Sequence, residues 1–156
     1  MNFTHPDHQE MLFSLINDHV DFLLVGGYAV IFHGHVRTTG DMDVWLKPTN
    51  ENKIKLLSVF AKLEFDPQGM KTISDMDFTE VVIFHIGDIP QRVDFLTKVQ
   101  GLNFDDAFSR RQILKVKEHE LPFLHLDDLI ANKLLANRTK DLADIENLIK
   151  IQRRKS

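Results

Sequence analysis

Residues 23–46 run LLVGGYAVIFHGHVRTTGDMDVWL: a short apolar run, a diglycine, a second apolar run, then two aspartates one residue apart. Alternation along a strand puts residues i and i+2 on the same face. A strand over Asp41–Leu46 therefore projects Asp41 and Asp43 to one side, close enough to share a divalent cation. Two carboxylates held that near repel each other unless a cation neutralises them. Upstream, Gly26 and Gly27 let backbone N–H groups approach a ligand without side-chain obstruction. A pair of acids beside a bare-backbone turn points to a phosphate-handling site. Taken singly, each half has a plainer explanation: a solvated strand end for the acids, a tight strand-to-helix turn for the glycines.

The flanking sequence supplies the frame. Phe22–Val25 is a continuous apolar run that stops at the diglycine and reads as a buried strand. Tyr28–His33 reads as a short helix entered from the diglycine and closed at Gly34. Before them, Pro6 opens an amphipathic helix with Met11, Leu12, Leu15 and Ile16 at helical spacing. After Asp41–Leu46, Pro48 ends the strand and Thr49 or Asn50 caps a helix whose apolar stripe is Ile54, Leu57, Phe60 and Ala61. Pro67-Gln68-Gly69 marks a loop. Thr79–Leu96 reads as a hairpin turning at Gly87-Asp88-Ile89-Pro90, with Arg92–Leu96 as its second strand.

Phe104–Arg110 reads as a short helix, and Ile113–Val116 with Leu121–Leu124 as a small strand pair. From Leu126 the pattern is helical, with a break near Asn137–Thr139. This order predicts an α/β (α+β) fold: one mixed central sheet flanked by helices, in a single domain over residues 1–156, with a C-terminal helical part at about 126–152.

Bulk composition narrows the classes. Charged residues are 27% and apolar residues 43%, ordinary values for a globular chain. A net charge of −4 gives no global attraction to nucleic acid. The one basic cluster, Gln152-Arg153-Arg154-Lys155, reads as a solvated tail as readily as an anion contact. Cysteine is absent, which excludes disulfides and thiolate chemistry. No apolar run reaches a membrane-span length of about 18 residues, and the amino terminus lacks a basic-then-apolar signal, so a cytoplasmic protein is expected.

A third acid, Asp94, lies in Gln-Arg-Val-Asp-Phe-Leu-Thr, on the strand face shared with Arg92 and Leu96. Strands are depleted in aspartate, so its presence needs a reason. If this strand neighbours Asp41–Asp43, three carboxylates converge and can hold one or two Mg²⁺ or Mn²⁺ ions, which favour hard oxygen ligands and phosphate oxygens.

Near the carboxyl end, Leu126, Leu129, Ile130 and Leu134 define a helical stripe, and Lys133 falls on or beside it. An unpaired buried ammonium is costly, so Lys133 either snorkels outward or points into a cleft containing anions; the acids favour the cleft. Asp141 suits a structural role, tying Arg138 or Lys133, while Asp144 is expected to face solvent. Arg37 either neutralises phosphate or pairs with a carboxylate. His33 and His35 lack a matching metal-ligand cluster and read as loop histidines. Trp45 reads as core, on a face from which it can also border a base pocket.

The stretch LLVGGYAVIFHGHVRTTGDMDVWL resembles the signature region of the polymerase-β-like nucleotidyltransferase superfamily, nearest to its minimal bacterial members grouped with abortive-infection toxins. VDFLT matches the place of that superfamily's third acid, and LDDLIANKLLANRTKDLADIENL resembles its downstream helices. The resemblance spans about Phe22 to Ile149. It implies that Gly26 and Gly27 form the phosphate-approach turn, that Asp41, Asp43 and Asp94 ligate metal, and that Lys133 contacts the nucleotide phosphates. The better-known members carry Gly-Ser at the turn; here Gly27 replaces the serine, with loss of one phosphate hydrogen bond.

The activity so implied is Mg²⁺-dependent transfer of an NMP from an NTP to a hydroxyl on RNA, protein or a small molecule. The toxin-like kinship adds a toxin–antitoxin setting, with an antitoxin or second subunit as partner. The competing reading is a catalytically silent module of the same fold, an antitoxin or regulatory subunit. A metal-dependent phosphohydrolase using the same acids is disfavoured by the lack of clustered histidines.

Overall fold

A computed structural model describes residues 5–88 and 91–155. The first helix, α1 (Pro6–Asn17), starts with proline in its first turn, and the His5 side chain accepts from the Asp7 N–H. Its inward residues Met11, Leu12 and Leu15 are buried, and it packs on β6 (His119–Phe123) and α3 (Asn50–Lys62). Next come β1 (Phe22–Val25) and α2 (Gly26–Phe32), joined with no intervening loop. The helix thus begins on the diglycine itself, two residues earlier than expected. β2 (Met42–Leu46) follows, with Asp41 immediately before it.

Among the described residues six strands form one mixed sheet in the order β3-β4-β2-β1-β6-β5. β3 (Ile83–Ile86) and β4 (Val93–Leu96) are an antiparallel edge pair. They confirm the hairpin with shorter strands; Ile89 and Pro90 of its expected turn lie outside the described residues. β5 (Gln112–Val116) and β6 make the other antiparallel edge pair. In the centre, β1 runs antiparallel to β2 but parallel to β6, and β2 runs parallel to β4. The register is what matters for function: Asp43 is opposite Val25 on one side and opposite Asp94 on the other.

Both faces of the central strands are covered. All of β1 is buried, and so are Met42, Val44, Trp45 and Leu46 of β2. Such strands read as unbroken apolar runs rather than alternating ones. Trp45 is core: its Nε1 donates to the Thr97 carbonyl at 3.2 Å and its ring meets Phe104 edge-on.

Three helix expectations need correction. In α3 the buried face is Asn52, Leu56, Val59 and Phe60, while Ile54 is 66% exposed and Ala61 also faces solvent. The true stripe has a polar member, which hides its phase. Asn52 Oδ1 accepts from the Asp21 N–H, and its Nδ2 donates to the carbonyls of Asp21 and Lys47. Residues 67–69 do not form a loop: Asp66 accepts from the N–H groups of Gln68 and Gly69 and starts α4 (Pro67–Ser74). Proline in a first helical turn loses nothing, because its N–H would be unpaired anyway. In α6 (Leu126–Ala136), Leu134 is 53% exposed, and Lys133 takes the inward position beside Leu129 and Ile130.

α5 (Phe104–Ser109) is capped by Asn103. The expected break after α6 is real: Asn137 closes the helix in the left-handed region at φ 50°, a short 3₁₀ turn covers Thr139–Asp141, and α7 (Leu142–Lys155) follows. α6 packs on α2 and α7. Among the described residues no helix is long and apolar enough to cross a membrane.

Asn52→Ala removes three hydrogen bonds that bracket the ends of β1 and β2. It should cost about 2 kcal/mol, from backbone groups left unpaired, seen as a lower urea midpoint with an unchanged slope.

Candidate active site

The diglycine is shaped by its neighbours within the fold. Gly26 has φ +62°, and a Cβ there would lie 2.1 Å from Asp43 Oδ2. The missing side chain makes room for the Asp43 carboxylate, rather than only for an incoming ligand. A Cβ on Gly27 would lie 2.6 Å from Thr39 Oγ1 and 3.1 Å from Arg37 Nη2. The loop before β2 therefore folds over the turn, with Thr39 donating to the Asp41 carbonyl at 3.2 Å. Thr39 was not singled out from sequence; the Arg-Thr-Thr-Gly run before the acids was the signal that could have found it.

A cleft of about 750 Å³ opens beside this turn. Asp41, Asp43 and Asp94 line it, as do Gly26 and Gly27. Arg37 and Lys133 line it too, so every residue singled out for the site meets at one place. Trp45 does not line it.

Matched register on parallel strands forces Asp43 and Asp94 side by side. Burial pushes the Asp43 carboxyl up to about 6, helped by the charge and hydrogen bonding of Asp94 and the charge of Asp41, with Lys133 opposing. One counter-charge lies among the acids. Arg92 Nε is 2.8 Å from Asp94 Oδ1, and its Nη2 is 3.6 Å from Asp41 Oδ2. Carboxylate oxygens are the hard donors that Mg²⁺ and Mn²⁺ favour, and a repelling, partly buried set of them fits a divalent cation. Among the described residues no three acids or histidines converge into a ready-made cage.

Opposite the acids lies a buried charge network. Lys133, 4% exposed, contacts Asp141 at 2.9 Å and Asp144 at 3.2 Å. Arg138 Nε also holds Asp141, at 2.6 Å. Burial pushes the Asp141 carboxyl up, but these two cations outweigh it and hold it below the usual range. The structural role expected for Asp141 is thus observed. Asp144 contradicts expectation: it is buried, not solvent-facing. It contacts Lys133, Arg37 Nε at 3.0 Å and His35 Nε2 at 3.5 Å. The reason is that α7 turns this residue toward the loop before β2, where Arg37 and His35 meet it. Arg37 accordingly pairs with a carboxylate while facing the cleft. His33 is buried, its Nε2 2.7 Å from the Leu124 carbonyl, and burial lowers its pKa.

A further support was invisible in sequence. His8 Nε2 donates to the Gln91 carbonyl at 2.8 Å, which leaves Nδ1 to accept from the Tyr28 hydroxyl. Burial pushes the Tyr28 phenol up to about 12. Gln91 precedes Arg92, so α1 and α2 together fix the entry to β4.

A mixed sheet carrying aspartates at its centre and a cleft beside a diglycine turn defines a nucleotidyltransferase fold. A Thermotoga maritima protein described as a nucleotidyltransferase superimposes with a TM-score of 0.53 at 10% identity, over 91% of this chain and 89% of that one. The lincosamide antibiotic adenylyltransferase LnuA, with lincomycin bound, gives 0.52 at 18% identity over 97% and 99%. The chain belongs to the family described as nucleotidyltransferase of unknown function (DUF6036), whose model matches residues 5–153. Comparison with curated proteins gives no sequence match.

Two outcomes test this geometry. Gly26→Ala should destabilise the protein by about 2 kcal/mol or more, since it adds a Cβ at positive φ against Asp43; chemical denaturation reads the loss. Asp43 has a folded pKa above its unfolded one, so its penalty is absent below about pH 4 and grows as pH rises through about 6. Without added metal, Asp43→Asn should therefore match wild type in melting temperature near pH 4 and exceed it above about pH 7.

Proposed function

We propose that this cleft carries out divalent-metal-dependent transfer of a nucleoside monophosphate from an NTP to a hydroxyl acceptor, releasing pyrophosphate. The observation that carries this reading is the placement of Asp43 beside Asp94 on adjacent parallel strands, with Asp41 two residues upstream, in the cleft that Lys133 and Arg37 also line. Asp41, Asp43 and Asp94 would hold the Mg²⁺ or Mn²⁺, which supplies charge neutralisation of the phosphates and polarisation of the attacking and leaving oxygens. In this reading Asp94 would lie on the nucleophile side and help to deprotonate the acceptor hydroxyl. Lys133 and Arg37 offer positive charge to the phosphates; Asp141 and Asp144 hold them in place, so little reorganisation is needed when substrate arrives.

The acceptor is a hydroxyl on RNA, a protein or a small molecule. That LnuA, of nearly the same extent, is an antibiotic adenylyltransferase supports the small-molecule case. Lys133 is a poor residue for testing the chemistry, because removing one partner of a buried ion pair costs about 3–5 kcal/mol of stability. The aspartates are better targets. With Mn²⁺ and labelled NTPs, wild-type protein should transfer label to a component of a cell extract, and Asp41→Ala with Asp43→Ala should reduce transfer to background. Identical labelling by both proteins would refute the assignment. Metal plus NTP at about 100 times Kd should also add about 2.7 kcal/mol of stability; a thermal shift without transfer would instead mark a silent binding module.

A further inference from the structure

One positive charge lies inside the acid cluster itself. Arg92 stands two residues before Asp94, on the same face. Its Nε is 2.8 Å from Asp94 Oδ1, while Nη2 donates to Asp94 Oδ2 at 3.2 Å and approaches Asp41 Oδ2 at 3.6 Å. The guanidinium thus meets both oxygens of one carboxylate, through a hydrogen bond from Nη2 and a charge contact from Nε, and reaches a second carboxylate, which an ammonium cannot match. Three of the other cleft cations are paired outside this cluster: Lys133 with Asp141 and Asp144, Arg37 with Asp144, and Arg138 with Asp141. A divalent ion on Asp41 and Asp94 needs oxygen lone pairs that face the guanidinium, and would set two positive charges against a third.

We infer that Arg92 is a resident counter-cation that competes with the divalent metal for Asp41 and Asp94 and must swing away before the metal seats. The backbone around it is anchored. Met42 N–H donates to the Arg92 carbonyl at 2.9 Å, and His8 holds the Gln91 carbonyl. Release is therefore a side-chain rotation, with the strand left in place. In the metal-free cleft the same contact offsets the repulsion between the acids, so it stabilises the fold while holding metal affinity down. This inference rests on the metal-dependent reading above.

The test is calorimetric titration of Mn²⁺, without nucleotide, into wild type, Arg92→Gln, Arg92→Lys and the double variant Arg92→Gln with Asp43→Asn. Arg92→Gln should bind Mn²⁺ about tenfold more tightly than wild type, the scale set by losing charge-assisted hydrogen bonds. Arg92→Lys should fall between them and decides the matter if the glutamine variant does not fold. The double variant should lose the gain, which locates the ion on the aspartates. Equal or weaker binding by Arg92→Gln, or a gain that survives Asp43→Asn, overturns the inference and leaves the metal-dependent reading standing. Failure of every protein to bind Mn²⁺ overturns both.

Discussion

Repulsion between Asp43 and Asp94 is the constraint around which this molecule is arranged. Their strands are parallel and in matched register, so the two carboxylates cannot avoid each other without breaking the sheet. The surroundings answer that repulsion in three ways. Arg92 contributes a charge from the same strand face. Asp43 holds its proton to a higher pH than an ordinary aspartate does. Gly26 yields the space of a side chain, so that Asp43 can turn toward the helix start. None of these is needed by a sheet built only for stability. Apolar residues at the same positions would pack without cost, and that contrast is what supports the reading proposed above.

The C-terminal helices belong to the same logic. Lys133 is carried inward on α6 where a leucine would ordinarily sit, and it is tolerable there because Asp141 and Asp144 meet it. Asp144 in turn collects Arg37 and His35 from the loop ahead of β2. One buried carboxylate thereby joins the last helix to the segment that carries the acids. Buried ion pairs add little net stability compared with apolar packing. What this one provides is position: it sets the distance between the basic and acidic walls of the cleft.

Much of this was legible in the sequence, and the gaps have physical causes. The central strands, the helix after the diglycine and the α6 break follow from local patterns, and the seven residues named for the site with the help of one family resemblance line a single cleft. Periodicity can show that Asp41 and Asp43 share a face; it cannot show that Asp94 is their neighbour, because strand pairing between distant segments leaves no local mark. Asn52 misled the α3 reading since a polar residue occupied an inward slot, and only its three backbone partners explain it. The burial of Asp144 is hidden for a related reason: besides Lys133, its partners Arg37 and His35 lie on a loop far upstream. Arg92 was seen to share a face with Asp94, but its reach to Asp41 depends on the pairing of β2 with β4.

The contact between Gly27 and Thr39 has a consequence for how such chains can change. The threonine hydroxyl fills the volume that a side chain at 27 would enter. A side chain at 27 therefore requires Thr39 to turn its hydroxyl away or shift, so the cost of a change at either position depends on the other. Exchange between a diglycine and a glycine–serine version of the turn is thereby coupled to how Thr39 is placed. Substitutions scored one at a time at these two sites would misjudge both.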